Sequence, residues 1–512
     1  MPTGAGSNLA WTNQSSLTLL GIAAIVALGV PMFFANRKYL VLPLLIACCF
    51  VAPGQRIVIA TLDFNVLRIL LLCGMLRILA KGEFGDWQVD VLDKLVAAWS
   101  VVSIIAYTLL YGSLNAFIYK LGATYDVAMI YVVFRVWARD LDAIEQLGRW
   151  LAVLAIPVSV FFYIESTTGR NLFSVFGGVP EYTMVREGRL RCQGAFSHPI
   201  LAGCFFAAVV PLIIAAIARP GSKRWLLVPG LLASVAIVVM SASSTPLGGV
   251  AVAVGGYFLL PLRGSLRPLR WGIAGMLVLL HIVMEAPVWH LISRLDLAGG
   301  STGYHRYLLI DAAIRNFGEW FVVGTQSTRH WGRGLQDVTN HFILEGVRGG
   351  VLAMALFTAI VVSAFFAAGR LVKLADYGGA RGDRIVAWSV GVSMLVHLAC
   401  FVAVSYFHQN MVIMLGTVGL LASTRQNPFA VPAAAEEDEG DEDDEDEAYY
   451  EEQEGYGHAT AFESVPAGPS FDDQDRWQLP DWDEDAPAAP RPHRHRHDDA
   501  ASLHDDEPRS WN

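Results

Sequence analysis

The residues best suited to acid–base chemistry stand together in the stretch DVTNHFILEGVRGG, where a polar loop meets an apolar run. Thr339 or Asn340 can cap a helix whose first turn contains His341. Glu345 follows four residues later, so both side chains lie on one helix face. If Glu345 accepts a hydrogen bond from one imidazole nitrogen, the other nitrogen can act as a base. The pattern predicts such a pair, with an ordinary capped helix end as the alternative.

Arginines form a second group of candidates, in the stretch REGRLRCQGAFSHP. In an extended chain, Arg189 and Arg191 project to the same side. Pro199 suits the first position of a helix, whose free N–H groups attract anions. Because arginine offers a planar fork of donors that matches phosphate oxygens, the stretch predicts a diphosphate site. The alternative is pairing with lipid headgroups or with nearby carboxylates, Glu181 and Glu187.

A further arginine lies in STGYHRYLLIDAAIRNFGEW, which predicts an amphipathic helix from Tyr304 to Phe317 along a membrane surface. Asp311 and Arg315 are spaced i, i+4 and can satisfy each other. Arg306 instead shares its helix face with apolar side chains: Ile310, Ala313, Ile314 and Phe317. A charge on an apolar stripe needs an anionic partner, so the head of Arg306 should point into the protein or reach the interface.

The elements that must position these residues are apolar runs of membrane-spanning length. The mean hydropathy of the chain is positive although its last eighty or so residues are polar. A span takes roughly 20 apolar residues, which predicts an all-α, polytopic transmembrane helix bundle of about 12–14 spans. The runs lie at 17–34, 39–53, 64–80, 92–111, 121–138, 148–165, 199–218, 225–243, 247–262, 271–290, 350–369, 385–406 and 410–424. The first run has no cleavage-site pattern, so we expect it to be retained.

Charge predicts the orientation of the bundle. Lys and Arg are dense in loops that fall on one side if the spans alternate: 35–38, 77–94, 135–149, 219–224, 263–270 and 370–384. That side should be the cytoplasm, and in a bacterium the outward face is then periplasmic. The N-terminus, residues 166–198 and the long loop 291–345 with its interfacial helix then face outward, and the tail after Ser423 is cytoplasmic. The arginines at 186–191 are unusual on an outward face, which favours an anionic ligand.

The chain divides into a membrane domain, residues 1–424, and an acidic tail, residues 425–512. From residue 431 onward there are 27 acidic and 5 basic side chains, which predicts a disordered, solvated segment. The tail histidines His493, His495 and His497 are weak evidence for metal binding, and no metal or cofactor is expected. Only Cys192 lies in an outward loop, so we expect no outward disulfide within one chain. No nucleic-acid motif is present.

Residues 145–424 resemble the O-antigen ligase and O-antigen polymerase family of bacterial membrane glycosyltransferases. The resemblance lies in the order of RCQGAFSHPILAG, the serine-rich turn SASSTPLGG, GYHRYLLIDAAIRNF and TNHFILEGVRGG. It implies that Arg191 and Arg306, supported by Arg189, bind a polyprenyl diphosphate-linked sugar. It also implies that His341, steadied by Glu345, activates a saccharide hydroxyl, with inversion and without a metal. Membrane lipids, a chain-length regulator and a flippase are the further partners that it implies.

Two departures from the family pattern bear on function. Ser243, Ser244 and Thr245 stand where the family usually has an arginine, so we expect that turn to contribute only hydroxyls. The order Asn340–His341 is closer to exopolysaccharide polymerases than to ligases. The expected function is therefore polymerisation of lipid-linked repeat units into exopolysaccharide or O-antigen, with a ligase as the first alternative.

The second alternative is a lipid-linked sugar flippase or another transporter. Transport would need charged residues inside the bundle at mid-membrane depth. The candidates are Arg68, Asp126 and Arg135, whose positions near span ends fit snorkelling of their charged heads toward the interface.

Overall fold

The computed structural model of this chain describes residues 15–59, 62–85, 87–294, 302–378 and 380–424. These residues are mostly helical. The helices are α1 (Leu19–Phe34), α2 (Leu42–Phe50), α3 (Val66–Ala80), α4 (Val91–Tyr111), α5 (Leu114–Trp137), α6 (Leu141–Thr168), α7 (Pro199–Ala218), α8 (Arg224–Met240), α9 (Ser244–Phe258), α10 (Leu266–Val283), α11 (Thr302–Arg315), α12 (Phe317–Trp320), α13 (His341–Tyr377), α14 (Arg381–Phe401) and α15 (Gln409–Thr424). The tail predictions, including the three histidines, lie outside the described residues.

The thirteen apolar runs of the sequence each coincide with one of these helices. Seven helices in the described residues are long and apolar enough to cross a membrane, as in a multi-pass membrane protein: α4, α5, α6, α7, α10 with the turn before it, α13 and α14. Helices α1, α8 and α15 are apolar but shorter, and α2 has only nine residues. The expected fold class is thus confirmed in its coarse form, as a helical protein with several candidate spans.

Helix α7 forms the centre of the bundle, because almost all of its residues are apolar and buried. It packs against α6, α8, α9 and α14. Helix α13 packs against α4 and α14, and α15 packs against α5. Two short antiparallel hairpins interrupt the helical pattern: β1 (Arg56–Ile59) with β2 (Leu62–Asn65), and β3 (Met184–Arg186) with β4 (Arg189–Arg191).

The six basic loops lie at one end of the bundle, which we call the basic end. Hydrogen bonds and ion pairs connect them in series: Arg77 with Ala35, Trp137 with Lys38, Arg219 with Asp142 and Asp383, and Arg263 with Asp376. The connections between the other helix ends meet at the opposite end. There, Gln326 donates to the carbonyl of Leu110 at 2.8 Å, and Gln409 donates to that of Ala195 at 3.0 Å.

Helix α13 is divided by Gly350, whose φ of 73° and ψ of 179° are not helical. The backbone of the preceding loop occupies this break: Val351 N–H donates to the carbonyl of Phe321 at 2.9 Å. A Cβ at position 350 would stand 2.1 Å from the carbonyl oxygen of Val322, so only glycine fits. The first nine residues of α13, which contain His341, are therefore set apart from the apolar run that follows.

The expected helix from Tyr304 to Phe317 differs from the structure at both ends. Helix α11 begins at Thr302 and ends at Arg315, and a short second helix, α12, follows Asn316. The expected pairing of Asp311 with Arg315 is present, at 2.8 Å. The buried stripe of α11 consists of Leu309, Ala312 and Ala313, while Ile314 and Phe317 are about half exposed.

Candidate active site

Arg191 lies at the end of the β3–β4 hairpin, as its extended sequence predicts. Glu187 and Gly188 form the turn with φ values of 54° and 73°. Arg189 and Arg191 project from the same face of β4 because their spacing is two residues. Their surroundings differ: Arg189 is exposed, whereas Arg191 is 5% exposed. Only Arg191 is therefore in position to act within an enclosed site.

Of the two carboxylates that were alternative partners of the arginines at 186–191, one forms the expected pair, with Arg186, and neither pairs with Arg189 or Arg191 in the described residues. Glu181 pairs with Arg170 at 3.8 Å, and Glu187 pairs with the neighbouring Arg186 at 3.6 Å. Within the described part of the chain, Arg191 makes no ion pair, and its buried Nε has no hydrogen-bond partner. Burial lowers the pKa of Arg191, and the charge of Arg186 lowers it further. A buried guanidinium in this state is well suited to an anionic ligand.

Arg306 lies on the buried side of α11, near the serine-rich turn at the start of α9. Its Nη2 donates a hydrogen bond to Oγ1 of Thr245 at 2.8 Å. The turn was expected to contribute only hydroxyls in place of an arginine. Thr245 contributes such a hydroxyl, which stands next to the guanidinium of Arg306.

His341 is the first residue of α13 and is 2% exposed. Of the two expected caps, Asn340 acts: its Oδ1 accepts from Ile343 N–H at 3.1 Å. The imidazole Nδ1 accepts the N–H of Tyr406 at 3.2 Å, so the neutral ring has its proton on Nε2. Aromatic rings enclose the imidazole, with Phe357 and Phe401 both at 4.9 Å between ring centroids.

The relation between His341 and Glu345 is not the hydrogen bond that the spacing suggested. His341 Nε2 lies 4.0 Å from Glu345 Oε1 and is buried without a hydrogen-bond partner in the described residues. The nitrogen expected to be free is held by Tyr406 instead. The other carboxylate oxygen, Oε2, accepts from Trp99 Nε1 at 2.9 Å. At this separation, one oxygen atom of a ligand could form hydrogen bonds with both His341 Nε2 and Glu345 Oε1.

A buried lysine lies behind this carboxylate. Lys120 Nζ stands 5.8 Å from the ring centroid of Trp99 and 5.7 Å from that of Tyr107. It also interacts electrostatically with Glu345. The indole N–H of Trp99 holds the orientation of this carboxylate.

The segments that carry the candidates meet at the end of the bundle opposite the basic end. Cys192, next to Arg191, donates its N–H to the carbonyl of Met240 at 3.1 Å, immediately before the serine-rich turn that binds Arg306. Arg306 also lies within electrostatic reach of Cys400, whose neighbour Phe401 stacks on His341. The segments that carry Arg191 and Arg306 are thus linked through residues 240–245, and His341 packs on α14, while the side chain of Arg189 is exposed.

The charged residues considered for transport form ion pairs between helices of the bundle. Arg68 binds both carboxylate oxygens of Asp126, at 2.7 and 2.6 Å. Arg135 binds Asp93 at 2.8 and 3.0 Å. Each pair satisfies its own charges, which is the usual arrangement of a structural ion pair.

Sequence reasoning missed three partners of the candidate site: Tyr406, Trp99 and Thr245. The backbone N–H of Tyr406 leaves no signal in sequence. Trp99 lies in an apolar run, where an indole is expected as core. Thr245 was noticed as part of the serine-rich turn, and its hydroxyl was the available signal.

No group of three His, Cys, Asp or Glu residues that could hold a metal ion occurs in the described ranges. Compared with models of protein families and with curated proteins, the chain matches none.

Proposed function

We propose that this protein is a membrane glycosyltransferase that polymerises polyprenyl diphosphate-linked oligosaccharide units at the outer face of a bacterial inner membrane. The observation that carries the proposal is that the segments holding Arg191, Arg306 and the His341–Glu345 pair lie at the same end of the bundle. The basic loops lie at the other end, which by the positive-inside rule is cytoplasmic. The product would be exopolysaccharide or O-antigen, and the acidic tail would be cytoplasmic.

The guanidinium groups serve the donor side of the reaction. The anomeric carbon–oxygen bond of the lipid-linked sugar breaks, and the diphosphate departs as an anion that needs no proton. Arg191 and Arg306 neutralise the growing charge, with the exposed Arg189 in support. Because each arginine is worth on the order of 3 kcal/mol in such a role, loss of either slows turnover about a hundredfold.

The gap between His341 and Glu345 serves the acceptor side. A hydroxyl oxygen can lie within hydrogen-bond distance of both Nε2 and Oε1, which are 4.0 Å apart. It would accept from the N–H of His341 and donate its proton to Glu345 as it attacks the anomeric carbon. In this arrangement His341 holds the hydroxyl and Glu345 is the base. His341 becomes the base itself only if the hydrogen bond from Tyr406 N–H to Nδ1 breaks, so that the ring proton can move to Nδ1. Either route forms the new glycosidic bond with inversion.

A ligase that transfers finished polymer to a lipid core or a protein shares this donor chemistry and differs only in the acceptor. We favour polymerisation because the order Asn340–His341 resembles exopolysaccharide polymerases. Transport is less well supported, since the candidate charges Arg68, Asp126 and Arg135 are in closed ion pairs. A chain-length regulator and a flippase are the partners that a polymerase would need.

The test is to replace His341 by Ala and to analyse polymer and lipid-linked intermediates in cells that depend on this chain. We expect polymer to disappear and single repeat units to accumulate on lipid at the outer face. His397→Ala is the matched control, because His397 is equally buried and packs against the same Tyr406 ring. Glu345→Gln gives a second variant that keeps the Trp99 contact. Unchanged polymer in both His341→Ala and Glu345→Gln would refute the proposal. Accumulation of lipid-linked repeat units on the cytoplasmic side would favour transport.

A further inference from the structure

His198 is a second histidine beside the candidate diphosphate site, and the local fold defines its protonation state. It is the N-cap of α7, and its Nδ1 accepts the N–H of Ile200 at 3.2 Å. An imidazole that accepts at Nδ1 has its proton on Nε2 when neutral, so its other nitrogen is a donor. The ring is half-buried, so Nε2–H can face a ligand at the N-terminus of α7.

The loop between Arg191 and His198 is held in place by several hydrogen bonds. Glu165 accepts from the backbone N–H groups of Gln193 and Gly194 at 3.0 and 2.9 Å. The side chain of Gln193 donates to the carbonyl of Phe196 at 2.9 Å. Because these contacts close the loop on itself and on α6, Arg191 and His198 are presented as a preorganised pair.

One feature of this place favours an anion, and one charge opposes it. Arg191 is buried, with an Nε that has no partner in the described residues, and its charge acts on His198. The first turn of α7 adds no free donor, because Pro199 has no N–H, Ile200 N–H donates to His198 Nδ1, and Leu201 N–H donates to the carbonyl of His198. Asp337 also acts on His198, and its negative charge disfavours an anion there.

We propose that His198 donates its Nε2–H to an oxygen of the substrate's diphosphate, next to the oxygens bound by Arg191. The inference rests on the proposed function, and it assigns a residue for which sequence reasoning found no role beyond helix geometry. A neutral donor adds recognition without adding charge. It therefore favours a diphosphate, whose oxygens spread over two phosphorus centres, over a monophosphate that Arg191 alone can bind.

The competing explanation is that His198 only caps α7. The variants His198→Asn and His198→Ser separate the two roles, because Asn and Ser are preferred N-caps but cannot reach as far as imidazole Nε2. Both keep the helix start, so a loss of ligand binding in either would come from the missing donor. Thermal unfolding of each variant shows whether the cap has been preserved.

The experiment measures binding of farnesyl diphosphate and farnesyl monophosphate to the purified full-length chain in detergent. We expect His198→Asn and His198→Ser to bind the diphosphate about tenfold more weakly than the wild type, with a smaller effect on the monophosphate. Ser197→Ala is the neighbouring control. Wild-type affinity in both variants would overturn this inference alone. No binding of the diphosphate to the wild type would overturn the proposed function as well. An equal loss of affinity for the diphosphate and the monophosphate would indicate a general structural role of His198 and would contradict the inference.

Discussion

Nη2 of Arg306 donates to Oγ1 of Thr245 at 2.8 Å, which joins the loop helix α11 to the first turn of α9. This contact helps to orient the guanidinium. Thr245→Val removes the acceptor and keeps the shape, so we expect turnover to fall about fivefold to tenfold, since a hydrogen bond to a charged group is worth about 1.5 kcal/mol. Thr245→Ser should restore activity. The measurement is the rate of polymer formation in membranes. Equal rates in the wild type, Thr245→Val and Thr245→Ser would show that the hydrogen bond between Arg306 and Thr245 does not contribute to turnover.

The two arginines of β4 differ in burial, and this difference predicts different effects. Arg191→Ala should reduce turnover roughly a hundredfold, because a buried, unpartnered guanidinium is the strongest candidate for the departing diphosphate. Arg189→Ala should reduce it less than fivefold, since Arg189 is exposed and interacts through solvent. Arg191→Lys keeps the charge and loses the planar fork, so an intermediate rate is expected. Polymer assays of the three variants measure whether turnover falls least in Arg189→Ala, more in Arg191→Lys and most in Arg191→Ala. Equal losses in Arg189→Ala and Arg191→Ala would contradict this prediction.

Local signals in the sequence predict much of the fold. Apolar runs of about twenty residues locate the helices, and Asn340 and Pro199 stand at the helix starts that their side chains favour. The contacts that complete the site are distant in sequence: Trp99 with Glu345 over 246 positions, Tyr406 with His341 over 65, and Arg306 with Thr245 over 61. Such contacts depend on how helices pack, which hydropathy does not encode. The break at Gly350 was missed for the same reason, because an inserted loop backbone causes it.

Trp99 is a positioning residue for Glu345, since its Nε1 donates to Oε2 at 2.9 Å. Trp99→Phe removes this donor while keeping an aromatic ring in the core. We expect kcat to fall about tenfold with little change in donor KM, because the contact acts on the acceptor side. The cost in stability should be close to 1 kcal/mol. A Trp137→Phe variant, which loses an indole hydrogen bond at the basic end, is the control. Equal kcat losses in both variants would show a general effect on folding.

The ion pair of Arg68 and Asp126 tests the transport alternative. Asp126→Asn leaves Arg68 with a neutral partner, and we expect a loss of about 2 kcal/mol in stability, below the range for a fully buried pair. The double variant Arg68→Met, Asp126→Leu should recover stability, because both charges are gone. Its polymer production should then match that of the wild type. Thermal unfolding in detergent and polymer assays measure both properties. A stable double variant that moves no lipid-linked sugar across the membrane would contradict a structural role.

The pH dependence of stability should report on His198. Its pKa is lowered by burial and by the charge of Arg191, whereas Asp337 raises it. An unfolded histidine titrates near 6.5, so below that pH the unfolded chain binds a proton that the folded chain resists. The contribution of His198 to stability is therefore complete above about pH 6.5 and is lost as the pH falls toward the folded pKa.

Two variants isolate this contribution from that of the other histidines. His198→Asn removes the titrating group, so its melting temperature should fall less steeply than that of the wild type between about pH 7 and pH 5. Asp337→Asn removes the one charge that raises the pKa of His198. Protonation in the folded state then requires a lower pH, and the fall should be steeper than in the wild type. If the melting temperatures of all three proteins fall in parallel with pH, His198 does not bind protons differently in the folded and unfolded chains, and its burial beside Arg191 does not contribute to stability.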